Sequence, residues 1–264
     1  MSRIPQIFVK EDCTGRKLPW EVKLSEDDRH HLLHVLRLKR GSEVNIIDRS
    51  GNCFKGELIH LQELRARASR EIPVDRSSDR FRSVLFVSPP RAGKMDDLVK
   101  PLAELGVDEM TALFSENTVV KQSKWDWPKK KERWQRLVRE SAKQSGRLKS
   151  LDFGEPLHFD QACQWLDQLD LGFICVLPAQ SKGVHHPFGH LSHGKWPIPV
   201  PRVGFMIGPE GGFTAQEIRK AVEKGWIPLH LTPYVLRVET AAIAAMAVFH
   251  NMIFSWHELQ GVRA

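Results

Sequence analysis

Hydrophobic and polar positions change rhythm near residue 80. Before it, short extended stretches dominate. Residues 20–62 read as a small β unit in which 43–48 and 52–59 are joined by a turn at Arg49-Ser50-Gly51. Residues 26–38 carry a helical pattern with His30, His31, His34 and Arg37 on it. The stretch 71–80, EIPVDRSSDR, is polar, contains a proline and lacks periodicity, so it is the expected linker between a domain at 1–72 and one at 80–264. After the linker, strands expected at 83–87, 110–114, 173–177, 203–207 and 227–231 alternate with helical segments. That alternation is the pattern of an α/β domain with a mostly parallel sheet.

Three helical segments carry strong local signals. Helix 95–105 contains Pro101, which removes a donor and clashes with the preceding turn at a cost of about 3 kcal/mol, so a kink or restart is expected there. Thr214 and Glu217 form a capping box ahead of a helix that Phe213 and Ile218 staple and Gly225 stops. A last helix over 240–254 is rich in alanine. Between 179 and 201, four prolines and four histidines (His185, His186, His190, His193) mark a long irregular loop.

Composition narrows the class. With 264 residues, 41% apolar and 27% charged, the chain has enough apolar material for a core. No apolar run approaches the roughly 20 residues a membrane-spanning helix needs, and the first 17 residues are too polar for a secretory leader. Cys13, Cys53, Cys163 and Cys175 contain no CxxC pair. A cytoplasmic protein without membrane or disulfide framework is expected. No metal is expected either, because neither histidine group has carboxylates or thiols at ligand spacing.

Charge adds one feature. Residues 128–149 hold nine basic side chains against Glu132 and Glu140, so this segment carries the chain's whole surplus of +7. Trp134, Leu137, Val138 and Ala142 form an apolar stripe on the same segment, with Pro128 suited to its first turn and Gly146 to its end. A helix with one packed face and one cationic ridge follows. A merely solvated ridge is the bland alternative; concentration of the surplus in one element favours phosphate contact.

Ligands of open α/β sheets bind beyond the carboxyl ends of the strands. Three such ends are legible: Leu177-Pro178-Ala179, Gly208-Pro209-Glu210-Gly211-Gly212, and Thr232 to Arg237. A right-handed crossover through helix 214–225 would set the last two on one edge. GPEGG lets a main chain approach a ligand closely, although a plain strand-to-helix turn would also use glycine; it is neither a P-loop nor GxGxxG. Read as extended, Arg237-Val238-Glu239 projects its arginine and glutamate to one side, as a functional pair or as a structural ion bridge.

GPEGGFTAQEI followed by LRVETAAIAAMAV, with Lys94, Glu104-Leu105-Gly106, Ser115-Glu116 and Gln144-Ser145-Gly146-Arg147, resembles the bacterial 16S ribosomal RNA uracil-N3 methyltransferases of the SPOUT class. HHLLHVLRLKRGSEVNIID is similar to that family's PUA-like domain. The resemblance implies a small PUA-like β-barrel at 1–72 that binds RNA, and at 80–264 a SPOUT-type α/β domain with a deep trefoil knot. It implies a homodimer, with S-adenosylmethionine held by the knot loops at Leu177, Gly208, Pro209, Glu210, Gly211, Leu231, Leu236 and Arg237. The implied substrate is a uridine of 16S rRNA, within the small subunit. Arg237 would stabilise charge, with Glu239 orienting it or taking the proton. Arg37, Lys94, Arg133, Arg136, Arg139, Gln144 and Arg147 would meet RNA. The sequence departs from the family pattern at Thr232, Tyr234 and Val238, where the family carries Gly, Arg and Thr, so the cofactor would be read chiefly through backbone groups. Two competing readings are a knot-fold RNA-binding or ribosome-assembly protein without catalysis, and a related methyltransferase acting on another RNA.

Overall fold

The computed structural model describes residues 4–74, 81–91, 94–145, 149–180 and 201–259. By contacts the chain divides into two compact units: Met1–Arg76 with Arg139–Ser150, and Ser77–Val138 with Leu151–Ala264. The grouping of 139–150 with the first unit is a division that no change of pattern in the sequence announces.

The first unit is a curled five-stranded sheet in the order β1-β3-β4-β5-β2. Its strands are β1 (Gln6–Phe8), β2 (Trp20–Lys23), β3 (Glu43–Ile47), β4 (Cys53–His60) and β5 (Arg65–Ile72). Alternate side chains point inward, as the strand period requires, so Ile7, Val22, Val44, Ile46, Phe54, Leu58, Ala66 and Ala68 share one core. The turn between β3 and β4 is built as expected. Gly51 takes a φ of 79°, and the buried Asp48 carboxylate accepts the backbone N–H groups of Cys13 and Asn52.

Two expectations are corrected in this unit. The helix expected over 26–38 is shorter: α1 covers only Glu26–Arg29 and passes into a wider π-type turn over His30–Val35. That turn closes with a bond from the Leu38 N–H to the Leu32 carbonyl and leaves Arg37 exposed at a φ of 53°. The expected linker begins too early, because Glu71 and Ile72 are still paired with Phe54 and Cys53 in the sheet. The rest of the linker, 75–80, lies outside the described residues.

The second unit holds a parallel sheet ordered β12-β10-β11-β6-β7-β8, with β9 paired to β7. Its elements follow in chain order: β6 (Arg82–Val87), α2 (Met95–Leu105), β7 (Glu109–Phe114), α3 (Trp127–Ser145, of which the part up to Val138 belongs to this unit), β8 (Asp152–Phe153), β9 (Leu157–His158) and α4 (Phe159–Gln164). After them come β10 (Leu171–Cys175), β11 (Arg202–Ile207), α5 (Ala215–Glu223), β12 (Ile227–Leu229) and α6 (Val238–Leu259). Helices cover both faces, so the central strands read as continuous apolar runs. On one face Leu85, Val87, Phe173 and Phe205 meet Leu98 and Leu102 of α2 and Ala245 and Phe249 of α6, joined by Trp134 and Val138 of α3. On the other, Phe86, Ile174 and Met206 meet Ala162 of α4, Ala221 of α5, and Trp226.

Helix α2 runs unbroken through Pro101, so the expected restart is absent. The helix buries Met95, Leu98, Val99, Leu102 and Ala103. At about 1.5–3 kcal/mol for each large side chain, that burial outweighs the proline cost of about 3 kcal/mol. The capping box on α5 forms as expected: Thr214 Oγ1 accepts from the Glu217 N–H and the Glu217 carboxylate from the Thr214 N–H. The closing segment between β10 and β11 includes 181–200. Its histidines, Pro187, Pro197 and Pro199, and how the chain passes there in the implied knot, lie outside the described residues, while the Pro201 carbonyl accepts the Arg82 N–H at the start of β6.

Candidate functional site

Strand β10 lies between β11 and β12, all three parallel, which brings their carboxyl ends to one edge of the sheet. The loops beyond them enclose a solvent-open crevice of about 480 Å³. Leu177 and Pro178 line it from the first loop, Gly208, Pro209 and Gly212 from the second, and Leu231, Thr232, Tyr234 and Leu236 from the third. Cys175, Val176 and Ile207 form the floor, and Val238 and Ala241 of α6 a wall. Among the described residues, no lysine, arginine or carboxylate lines it. Burial pushes the Cys175 thiol up to about 12, which favours its neutral form.

Hydrogen bonds fix the loops to one another. Gln180 accepts the Leu177 N–H at 3.1 Å through Oε1 and donates to the Phe213 carbonyl at 2.7 Å through Nε2, joining the first loop to the second. Asn117, beyond β7, donates to the Gly212 carbonyl at 3.0 Å. Glu217, nine-tenths buried, accepts the Glu116 N–H at 2.9 Å as well as closing its capping box. The second loop turns on Gly212, whose φ of 68° and N–H bond to Pro209 O bring its backbone against Leu177.

Of the residues expected around a cofactor, Leu177, Gly208, Pro209, Leu231 and Leu236 line the crevice, while Glu210, Gly211 and Arg237 do not. Glu210 is exposed and accepts the Arg91 N–H at 3.1 Å. Of the last two glycines of GPEGG, Gly212 lines the crevice, and Gly211 faces Asn117 instead. The extended reading of Arg237-Val238-Glu239 is corrected: α6 already begins at Val238, with the Ala241 N–H bonded to the Arg237 carbonyl. Glu239 therefore sits in the first turn of a helix and pairs with Lys94 at 3.7 Å, and no ion pair joins it to Arg237. Arg237 itself is exposed at the lip, between the inward-facing Leu236 and Val238.

Along α3, Trp134 and Val138 are buried as expected, and Lys129, Arg133 and Arg136 are exposed. Arg133 pairs with Asp96 at 2.8 Å, and Lys130 and Lys131 lie over the rings of Trp125 and Trp127. Arg139 is half-buried and belongs to the first unit, as does the exposed Arg37. The side chain of Gln144 and the whole of Arg147 lie outside the described residues. Among the described residues no three His, Cys, Asp or Glu side chains gather as a metal site, and no helix is long and apolar enough to cross a membrane.

The sequence reading missed Gln180, Asn117 and Gly212 as parts of this site. Gly212 stood in GPEGG and Asn117 beside Ser115-Glu116; Gln180 carried no signal, because its role depends on two loops meeting.

Residues 77–250 match the RNA methyltransferase domain family, and residues 24–69 match an RNA methyltransferase PUA domain. The chain belongs to the RNA methyltransferase family. Ribosomal RNA small subunit methyltransferase E of Synechocystis is 28% identical to it over 89% of this chain and 74% of that protein. The protein of the same name from Buchnera aphidicola of Schizaphis graminum is 27% identical over 93% and 95%. A methyltransferase from Legionella pneumophila, solved with bound S-adenosylmethionine, superposes with a TM-score of 0.75 at 27% identity, covering 95% of this chain and 98% of that one. The Neisseria gonorrhoeae small subunit methyltransferase E, also bound to S-adenosylmethionine, gives 0.74 at 25% identity over 95% and 98%. The parallel-sheet unit of this RNA methyltransferase is thus of the SPOUT type, preceded by a PUA-like unit.

Proposed function

We propose that this chain is an S-adenosylmethionine-dependent methyltransferase of small-subunit ribosomal RNA, modifying N3 of a uridine in 16S rRNA as a cytoplasmic homodimer. The observation that carries this reading is the meeting of three strand-end loops in one neutral crevice. The lining suits the cofactor: apolar side chains offer walls for adenine, backbone groups at Gly208 and Leu231 offer polar readout, and among the described residues no cationic side chain lines it to repel a sulfonium. The chemistry supplied by that cofactor is an electrophilic methyl group open to in-line attack.

The chain's own part is to seat the donor and to manage the acceptor's charge. A uridine imide must lose its proton before N3 attacks, and the negative charge then spreads to the ring oxygens. Arg237, at the lip, is the cation placed to meet that charge. Glu239, held by Lys94, fixes the first turn of α6 behind it. The exposed basic face of α3 positions RNA through phosphates, a contact that carries no sequence information of its own.

The test is methyl transfer from S-adenosylmethionine to small subunits lacking the modification, followed by nucleoside mass analysis. Appearance of N3-methyluridine, with RNA affinity falling steeply as salt rises, is the expected result. A different methylated nucleoside would reassign the substrate, and no saturable binding of S-adenosylhomocysteine by calorimetry would leave only an RNA-binding scaffold. Gln180→Ala frees the Leu177 N–H and the Phe213 carbonyl from their shared partner, at about 1–3 kcal/mol for such groups. Calorimetry should show S-adenosylhomocysteine binding weakened about tenfold, with the fold retained.

A further inference from the structure

The third loop leaves one large aromatic ring in the open. Tyr234 is 76% exposed, its neighbour Val235 is 67% exposed, and Tyr234 nevertheless lines the crevice. Among the described residues it is the one aromatic side chain in the lining, and it is the one tyrosine in the chain. Its backbone is fixed, because its N–H donates to Thr232 Oγ1 at 3.0 Å directly after Thr232-Pro233. Leu177, Pro209 and Leu236, which line the crevice with it, are aliphatic and more buried.

Resting on the functional reading above, we infer that Tyr234 is the platform on which the acceptor uracil stacks while N3 is presented to the methyl donor. A base that reacts in a recessed crevice has to leave its own stack, and it loses its neighbours on doing so. An aromatic face at the crevice mouth replaces them. The ring's exposure places it on the RNA side of the crevice, apart from the buried walls that suit adenine. Stacking uses the ring and not the hydroxyl, so Phe and Trp serve in its place and Ala does not.

The experiment measures methyl transfer to a 16S rRNA fragment or small subunit, S-adenosylhomocysteine affinity, and sedimentation of the protein, for the wild type and Tyr234→Ala, Tyr234→Phe and Tyr234→Trp. The expected result is an RNA KM raised about tenfold to a hundredfold by Tyr234→Ala and restored by Phe or Trp, with cofactor-product affinity and oligomeric state unchanged. In the S-adenosylhomocysteine complex, an RNA fragment that is abasic at the acceptor position should bind wild type and Tyr234→Ala alike. Wild type that transfers no methyl group overturns the functional reading itself. Active wild type with an unaffected Tyr234→Ala overturns the stacking assignment alone. So does a Tyr234→Phe defect equal to that of Tyr234→Ala, a loss of S-adenosylhomocysteine affinity, or a shift in sedimentation showing that the ring packs on a second copy.

Discussion

Replacing Gly212 by alanine is expected to weaken S-adenosylhomocysteine binding by a hundredfold or more, on the order of the ~3 kcal/mol that overpacking plus left-handed strain imposes. The φ of 68° is the left-handed region, which costs an alanine about 1–2 kcal/mol. The added Cβ would stand 2.7 Å from Leu177 Cδ1 and 2.9 Å from its Cγ. Leu177 has to turn its side chain aside, while its backbone stays held by Gln180 through both N–H and carbonyl. The strain thus falls on the two loops that bound the crevice, while β10 and β11 beneath them keep their parallel pairing. Calorimetry reads the affinity and thermal unfolding reads the fold. A Gly212→Ala protein that binds S-adenosylhomocysteine within about threefold of wild type would show that these loops do not form the cofactor seat, since about 1.4 kcal/mol is a tenfold change.

Arg237→Ala is expected to behave in the opposite way, lowering kcat by about a hundredfold to a thousandfold, the usual loss when one charge-stabilising group is removed. Binding of S-adenosylhomocysteine should stay within about twofold, because the guanidinium is outside the lining. The loop itself should survive the change: what holds it there is the Arg237 carbonyl accepting the Ala241 N–H at 2.9 Å, and alanine keeps that carbonyl. Single-turnover methyl transfer at saturating cofactor separates the two effects. Unchanged turnover would remove Arg237 from the chemistry, and a parallel loss of cofactor affinity would make it part of the donor's seat.

What the sequence disclosed follows how local each signal was. The capping box of Thr214 and Glu217 is contained in four residues, and it forms as read. The central strands announced themselves because both faces of each are buried. Strands β8 and β9 are two residues long, too short to show any period, and they were invisible. The site was half legible. GPEGG and the loop before α6 could be placed on one edge from topology. Leu177 was legible as a strand end, but the insertion of β10 between β11 and β12, which brings it and Gln180 against the second loop, depends on strand order and not on any residue. Arg237-Val238-Glu239 was misread because a three-residue window cannot distinguish an extended end from a helix start, and the Ala241 N–H bond decides the matter from outside that window.

The uncharged lining of the crevice has a consequence for turnover. With the cofactor seated there as proposed, and no carboxylate or ammonium among the described side chains that line it, the pocket would have little means of telling the charged donor from the neutral thioether left after transfer. Spent cofactor would then compete with fresh cofactor on nearly equal terms, so that turnover would follow the ratio of the two more closely than the amount of either.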